Sequence, residues 1–369
     1  MKRILKWTVL VLGALVLAAI CFAFVFRWVT NRQDARAFPM PGKLVPLGPE
    51  FPTTSLHIDC SGSGSPTVIF ESGLGVPAVG WYQVQPGVAA FTRVCSYDRA
   101  GYGWSTPGTM PRTTDQIVKE LHALLAAAGE KPPYVLVAHS FGGFNVRVYT
   151  SRYPDEVAGL VLVDTSHEDQ NQNMPPSLKA FMDQETSKLK TEMRFAPLLI
   201  DSGLARLTTP LDGPPTLPVE IRKELRYLQL QPDFVAASAS EMMNFNQSAD
   251  EVRQAGNLGD RPLLVLTAGK MNLDDLPKTI SREELDKFHD TWIHDLQVRE
   301  THLSTNGTQI VVADSDHMIP IETPQVVVQA TKTVVDQVRR AGINQETANS
   351  ASPSASNQQA MKTGGHPHK

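Results

Sequence analysis

Short apolar runs alternate with amphipathic segments along the middle of the chain, which predicts an α/β protein with a mostly parallel sheet covered on both faces. Three observations carry this. The strand-like runs are continuously hydrophobic rather than alternating, as strands buried on both faces require. The segments between them have helical spacing and are long enough for crossover connections. Several runs end at glycine or aspartate, where a chain leaves a strand and turns.

In order, Thr67 to Phe70 is the first such run and ends at the Glu71 to Gly75 turn, and Thr92 to Tyr97 is the next, ending at Asp98. From Thr113 a capped segment places Ile117, Leu121, Leu124, Leu125 and Ala128 on one helical face, with Gly129 as its stop. Tyr134 to His139 reads as a strand, Phe141 to Arg152 as a helix and Gly159 to Val163 as a strand. Leu263 to Thr267 and Gln309 to Val312 repeat the strand signal, and Thr323 with Pro324 opens a last helix carrying Val327, Val328, Ala330, Val334, Val335 and Val338. Between Val163 and Leu263 no segment reads as a strand, too long a gap for a bare loop. Leu225, Leu228 and Leu230, then Phe234 to Phe245, look helical, so about 168–258 is expected to be a helical cap insertion.

The ends differ from the middle. Lys2, Arg3 and Lys6 precede an uncharged run from Trp7 to Phe26, closed by Arg27 and Trp28. Twenty helical residues span roughly 30 Å, the thickness of a bilayer's hydrocarbon core. A cleaved signal would have a shorter apolar region with small residues at the cut, whereas Phe22, Phe24, Val25 and Phe26 stand there. The expectation is an anchor within 1–30, with a single pass and the main domain extracytoplasmic. Arg27, Arg32 and Arg36 nearly balance the basic residues before the span, so charge alone leaves the orientation open. Residues 31–53, rich in Pro and Gly, are expected to be a linker, and 341–369, poor in large apolar side chains, a disordered tail.

Composition narrows the function. With 38 acidic and 34 basic residues the net charge is -4, which argues against nucleic-acid binding. Three cysteines, at 21, 60 and 95, form no CxxC pair and no Cys/His cluster, so no metal site is expected. No dinucleotide fingerprint or phosphate loop stands in the right context, and no cofactor is implied.

The chemistry-bearing segment is Val137-Ala138-His139-Ser140-Phe141-Gly142-Gly143, joining a predicted strand to a predicted helix. A serine at such a turn projects over the carboxyl end of the sheet, and the following helix N-terminus favours developing negative charge. Ala138 stands where G-x-S-x-G has its first glycine. With Glu71-Ser72-Gly73-Leu74-Gly75, Tyr97-Asp98-Arg99-Ala100-Gly101-Tyr102-Gly103-Trp104-Ser105 and Ser315-Asp316-His317-Met318-Ile319-Pro320, this segment makes the chain resemble the α/β-hydrolase fold, in its common serine-hydrolase branch, over roughly 54–340.

The resemblance implies Ser140 as nucleophile, His317 as its base, and the backbone N–H groups of Leu74 and Phe141 as oxyanion donors. It sets the chain apart from relatives that carry Asp at the elbow, the haloalkane dehalogenases and epoxide hydrolases. For the acid, Asn272 stands where an Asp is often found, so Asp164 is favoured, with Asp274 or Asp275 as the alternatives. Ser72 replaces a frequent His. Asp98, Arg99, Gly101 and Gly103 are expected to fix their loop, and His139 to point away from Ser140 in a structural role. The expected activity is cleavage of a carboxylic ester, less readily an amide, with an apolar acyl group held by Phe181, Met182, Met242, Met243 and Phe245. A binding protein without turnover, or a C–C or peptide hydrolase on the same residues, are the competing readings. Cys60 and Cys95 would lie on strands that neighbour in this fold, bridged or as two free thiols.

Overall fold

The computed structural model describes residues 2–193, 196–209, 217–272 and 276–351. Eight strands form one sheet: β1 (Lys43–Pro46), β2 (Ser55–Ser61), β3 (Thr67–Glu71), β4 (Val94–Tyr97), β5 (Tyr134–His139), β6 (Val157–Val163), β7 (Leu263–Ala268) and β8 (Gly307–Val312). Their spatial order is β1-β2-β4-β3-β5-β6-β7-β8. β1 and β2 run antiparallel to their neighbours and the remaining pairs are parallel.

Helices of eight residues or more are numbered here. They are α1 (Lys2–Ala37), α2 (Thr114–Ala128), α3 (Gly142–Arg152), α4 (Pro176–Glu192), α5 (Val219–Gln229), α6 (Pro232–Met243), α7 (Phe245–Arg253), α8 (Arg282–Thr291) and α9 (Pro324–Ala351).

Alternation along each buried strand feeds two cores. Ile69, Leu136 and Ala138 face α2 and α3 with Leu121, Leu124 and Phe144, while Val68, Phe70, Val135 and Val137 face α9 with Val327, Val334 and Val335. Both faces being apolar is why the strands read as unbroken hydrophobic runs. Between β6 and β7 the described residues form helices and no strand, α4 to α7 being the longest.

Three expectations about the chain ends need correction. α1 does not stop near residue 30 but continues to Ala37, because Asp34 forms an ion pair with Arg206 and Phe38 stacks on Tyr227. The segment read as a linker contributes β1, with Val45, Leu47 and Phe51 buried, and the Pro41 carbonyl accepts from His57 Nε2 at 2.8 Å. α9 runs to Ala351, eleven residues into the segment expected to be unstructured, and 352–369 lie outside the described residues.

A buried cation joins the sheet to the insertion. Arg99, 3% exposed, donates from Nη1 to Glu71 Oε1 at 2.9 Å and the Ser72 carbonyl at 2.7 Å. Its Nη2 donates to the Gly73 carbonyl at 2.8 Å, and Nε and Nη2 form a fork on the Glu241 carboxylate of α6, both at 2.9 Å. Tyr102 donates to Glu241 at 2.6 Å and accepts from the Gly75 N–H at 3.1 Å. Burial works against the guanidinium, but the carboxylates of Glu241 and Glu71 hold it charged. The Ser72 to Gly75 turn is therefore gripped from behind by one loop and one inserted helix.

Cys60 and Cys95 face each other across β2 and β4 and are joined by a disulfide, leaving Cys21 as the free cysteine. Alkylation of the denatured, unreduced protein is expected to label one thiol, and three after reduction; three before reduction would remove the bridge. Arg99→Met leaves two buried carboxylates without their cation, and a loss of about 3–5 kcal/mol is expected in chemical denaturation. Glu241→Gln keeps a hydrogen-bonding side chain there, and a smaller loss of about 1 kcal/mol is expected.

Candidate active site

Ser140 follows β5 directly and holds φ at 55°, left-handed backbone that a non-glycine residue adopts at a cost of order 1–2 kcal/mol. Its N–H donates to the Val163 carbonyl at 3.2 Å, and its own carbonyl accepts from Gly143 and Ser166. The turn needs Gly142 behind it, since a Cβ there would come within 2.6 Å of the Glu71 carbonyl oxygen. Ala138, in contrast, lies inside β5, paired with Glu71 and Leu162, where a small side chain fits the core and no glycine is required.

Asp164 follows β6, the neighbouring parallel strand, with φ at 44°. Its Oδ2 lies 2.6 Å from His317 Nδ1, and His317 Nε2 lies 2.9 Å from Ser140 Oγ. A carboxylate only accepts, so Nδ1 carries the proton and Nε2 of the neutral ring is left to accept from the hydroxyl. The other carboxylate oxygen, Oδ1, accepts from the Ala268 N–H and from Trp292 Nε1, each at 2.9 Å. Burial alone would raise the Asp164 pKa, but the hydrogen bonds and charge of His317, with Trp292 and Ala268, hold it below the usual carboxylate value. For His317 desolvation opposes the charged form, and the hydrogen bond and charge of Asp164 outweigh it, so its pKa rises. Its side chain keeps 47% of its surface open, at the mouth of the cleft.

Of the three acids weighed from the sequence, Asp164 meets the His317 ring; Asp274 and Asp275 lie outside the described residues. His139 is buried, but its ring does not leave the site as expected: Gly73 lies against both it and Ser140. His139 Nε2 donates to the His317 carbonyl at 2.8 Å and the two rings lie 4.7 Å apart. Burial, and secondarily His317, depress its pKa to about 3, so it stays a neutral clamp on the His317 loop. Sequence gave no signal for this contact, nor for Trp292, which is 128 residues from the carboxylate it serves.

Leu74 and Phe141 both border the space above Ser140, and among the described residues neither backbone N–H donates to a protein acceptor. Ser72, where a histidine is more frequent, accepts from Trp81 Nε1 at 2.9 Å, which fixes the start of this turn. Asp98 ties its loop to β2 and to the segment after β3, accepting from the His57 ring and the Ala78 N–H, each at 2.7 Å.

Two cavities meet at Ser140, sharing Ser166, Gln170 and Met174. One, about 300 Å³, runs past His317 to Asn272, Phe288 and Trp292. The other, about 460 Å³, runs past Leu74 under the insertion, lined by Met182, Met242, Met243 and Phe245 and, on α4, by the charged Lys179, Asp183 and Lys190. Phe181 does not join them; it packs with Leu178, Ile280 and Phe288 instead. His167, Glu168 and Glu300 converge at metal-ligand spacing. The Arg147 guanidinium already lies between the two carboxylates, at 2.6 and 3.0 Å, and supplies the positive charge they require.

Comparison with known proteins agrees with this architecture. YqjL, an uncharacterized protein of Bacillus subtilis (strain 168), is 38% identical over 103 residues, which is 28% of this chain and 41% of that protein. The chain thus spans less than half the length of that relative. An AB hydrolase superfamily protein of Gibberella zeae is 25% identical over 296 residues, 74% of this chain and 87% of its own. The fold is similar to that of a thermophilic esterase from Thermogutta terrifontis, with a TM-score of 0.54 at 21% identity, covering 80% of this chain and 98% of the esterase. The family model of the alpha/beta hydrolase fold matches residues 66–337, from the start of the parallel sheet through the first half of α9, and the chain belongs to that family.

Proposed function

We propose that this protein is a membrane-anchored serine hydrolase that cleaves a carboxylic ester through an acyl-enzyme. The observation that carries this is the continuous hydrogen-bonded line from Ser140 Oγ through the His317 ring to Asp164. A serine hydroxyl becomes a competent nucleophile when a base stands ready to take its proton, and the base works when a third group fixes its tautomer. Both conditions are supported by the distances.

In the first half-reaction Ser140 Oγ bonds to the ester carbonyl carbon while its proton passes to His317 Nε2. The N–H groups of Leu74 and Phe141 receive the developing oxyanion. Collapse breaks the bond to the alkoxy oxygen, which leaves as the alcohol with the proton from His317. Water then repeats the sequence: His317 takes its proton, its oxygen bonds to the acyl carbon, and Ser140 is released with a carboxylic acid as product. Asp164 orients the ring and stabilises the imidazolium throughout. The methionine-lined cavity supports an apolar acyl group, because flexible thioether side chains adapt to a chain without demanding one shape. The apolar span of α1 supports the anchor, and the Cys60–Cys95 bond supports an oxidising, extracytoplasmic side for the domain.

A fluorophosphonate probe is expected to label the wild type and not Ser140→Ala, and the same substitution is expected to abolish hydrolysis of p-nitrophenyl butyrate. Equal labelling of both, or saturable ester binding with no turnover, would overturn the proposal in favour of a binding protein.

The pH profile follows from His317. The base must be neutral to act, and Asp164 raises its pKa, so kcat/KM should fall on the acid side with an apparent pKa above the 6.5 of a free imidazole. Asp164→Asn removes the charge that raises it. The acid limb should then move to lower pH while kcat drops by about 10⁴-fold; an unmoved limb would show that another acid holds the ring.

A further inference from the structure

The end of α1 is not free of the domain. Gly203, buried between two short helical segments of the insertion, lies against it so closely that a Cβ there would stand 3.1 Å from the Phe26 ring and 3.4 Å from Arg27 Cβ. About two turns further along α1, Asp34 pairs with Arg206, and just beyond the helix Phe38 stacks on Tyr227 of α5. Phe26 is the last residue of the apolar span, and Trp28, with the Arg32 guanidinium 4.1 Å over its ring, follows at once. Tryptophan and arginine at the end of a span mark the headgroup level. The insertion therefore meets α1 at the point where a bilayer would end.

Two large apolar side chains flank this contact and face outward: Leu199 is 47% exposed and Leu207 is 67% exposed. In water they are misplaced; at a lipid interface they are where apolar side chains belong. A third cavity of about 320 Å³ is lined by Thr209, two residues after Leu207, by Arg226, Ser238 and Met242 of the insertion, and by Leu74. Leu74 and Met242 also line the cavity that contains Ser140. The two cavities are therefore neighbours with Leu74 and Met242 as a common wall, and the third reaches Thr209, at the end of the segment that grips α1.

Resting on the ester-cleaving role of Ser140, we infer that the substrate is a lipid ester taken from the bilayer, its acyl chain lying through these two cavities from the α1 contact to Ser140. The bilayer is the partner of the Leu199 and Leu207 surface, because that surface continues the one that already packs on the membrane helix.

The test uses the full chain in phosphatidylcholine vesicles carrying a fluorogenic long-chain ester, with soluble p-nitrophenyl butyrate assayed alongside. Leu199→Glu/Leu207→Glu should lower long-chain turnover ten-fold or more and leave butyrate kcat/KM within two-fold, fluorophosphonate labelling of Ser140 confirming that the variant is folded. Ser238→Trp, which fills the third cavity, should raise the preference for short over long acyl chains ten-fold. Butyrate hydrolysis by wild type without long-chain hydrolysis, or an equal loss on both esters in the leucine variant, would overturn the inference alone. Turnover of neither ester by wild type, with Ser140 unlabelled, would remove the Ser140 reading and this inference with it.

Discussion

Two non-glycine residues of the described chain hold left-handed backbone, Ser140 and Asp164, and the site depends on both being held there. Each comes directly after one of two adjacent parallel strands. Strands that run the same way in register end together, so β5 and β6 deliver the hydroxyl and the carboxylate to the same edge. The left-handed turn then tips each side chain over that edge instead of letting it continue the pleat. Such a conformation persists when its surroundings over-determine it. Ser140 N–H to Val163, Ser166 N–H to the Ser140 carbonyl, and Asp164 N–H to the Leu266 carbonyl at 2.7 Å tie the two turns to each other and to the next strand. His317, brought in after β8, has only to reach between them, and the buried His139 ring holds its backbone in place.

Around this pair the structure divides into a rigid side and a looser one. On the Leu74 side, the Ser72 to Gly75 backbone is bound to Arg99 and Tyr102, and these to Glu241 of α6. Moving α6 would expose or unpair a buried guanidinium, which makes that wall of the cleft stiff. On the other side α4 buries only Leu178 among its side chains, so few contacts oppose its displacement. The two walls of the Ser140 cavity are thus held to different degrees, the Leu74 side by buried ion pairs and the α4 side by little burial.

The parallel strands were legible because burial on both faces makes them uninterrupted hydrophobic runs, and the elbow because its glycines and serine follow such a run. β2 was not: His57 and Asp59 interrupt Ser55–Ser61, and His57 is accommodated by Asp98, 41 residues away, and by the Pro41 carbonyl. β1 hid among prolines for the same reason, its partner being supplied by tertiary pairing. The extension of α1 to Ala37 is charged and polar, and what holds it is an arginine far downstream. Within the site, Ser140 and His317 were nominated by local pattern and resemblance. Trp292 and Glu241 carry no local pattern at all, since their importance lies in what they touch across more than a hundred residues. Local spacing reports what an element is; it is silent about which distant side chain completes a hydrogen bond.

The connection between α1 and the sheet limits what the domain can reach. Only residues 38–42 separate Ala37 from Lys43, and five residues extend at most about 18 Å. Even that slack is taken up, because Pro41 is hydrogen-bonded to His57, whose two ring nitrogens both face acceptors, and Phe38 is stacked on α5. Were α1 to lie in a bilayer, the insertion could not drift away from its surface, and Ser140, beneath the insertion, would work within a short distance of the headgroups. Diffusing soluble esters would gain nothing from such a short hold. For the proposed ester hydrolase, a substrate dissolved in that lipid would be concentrated where the domain is held, so the brevity of the connection and the position of the exposed leucines favour the same side of the molecule as its entrance.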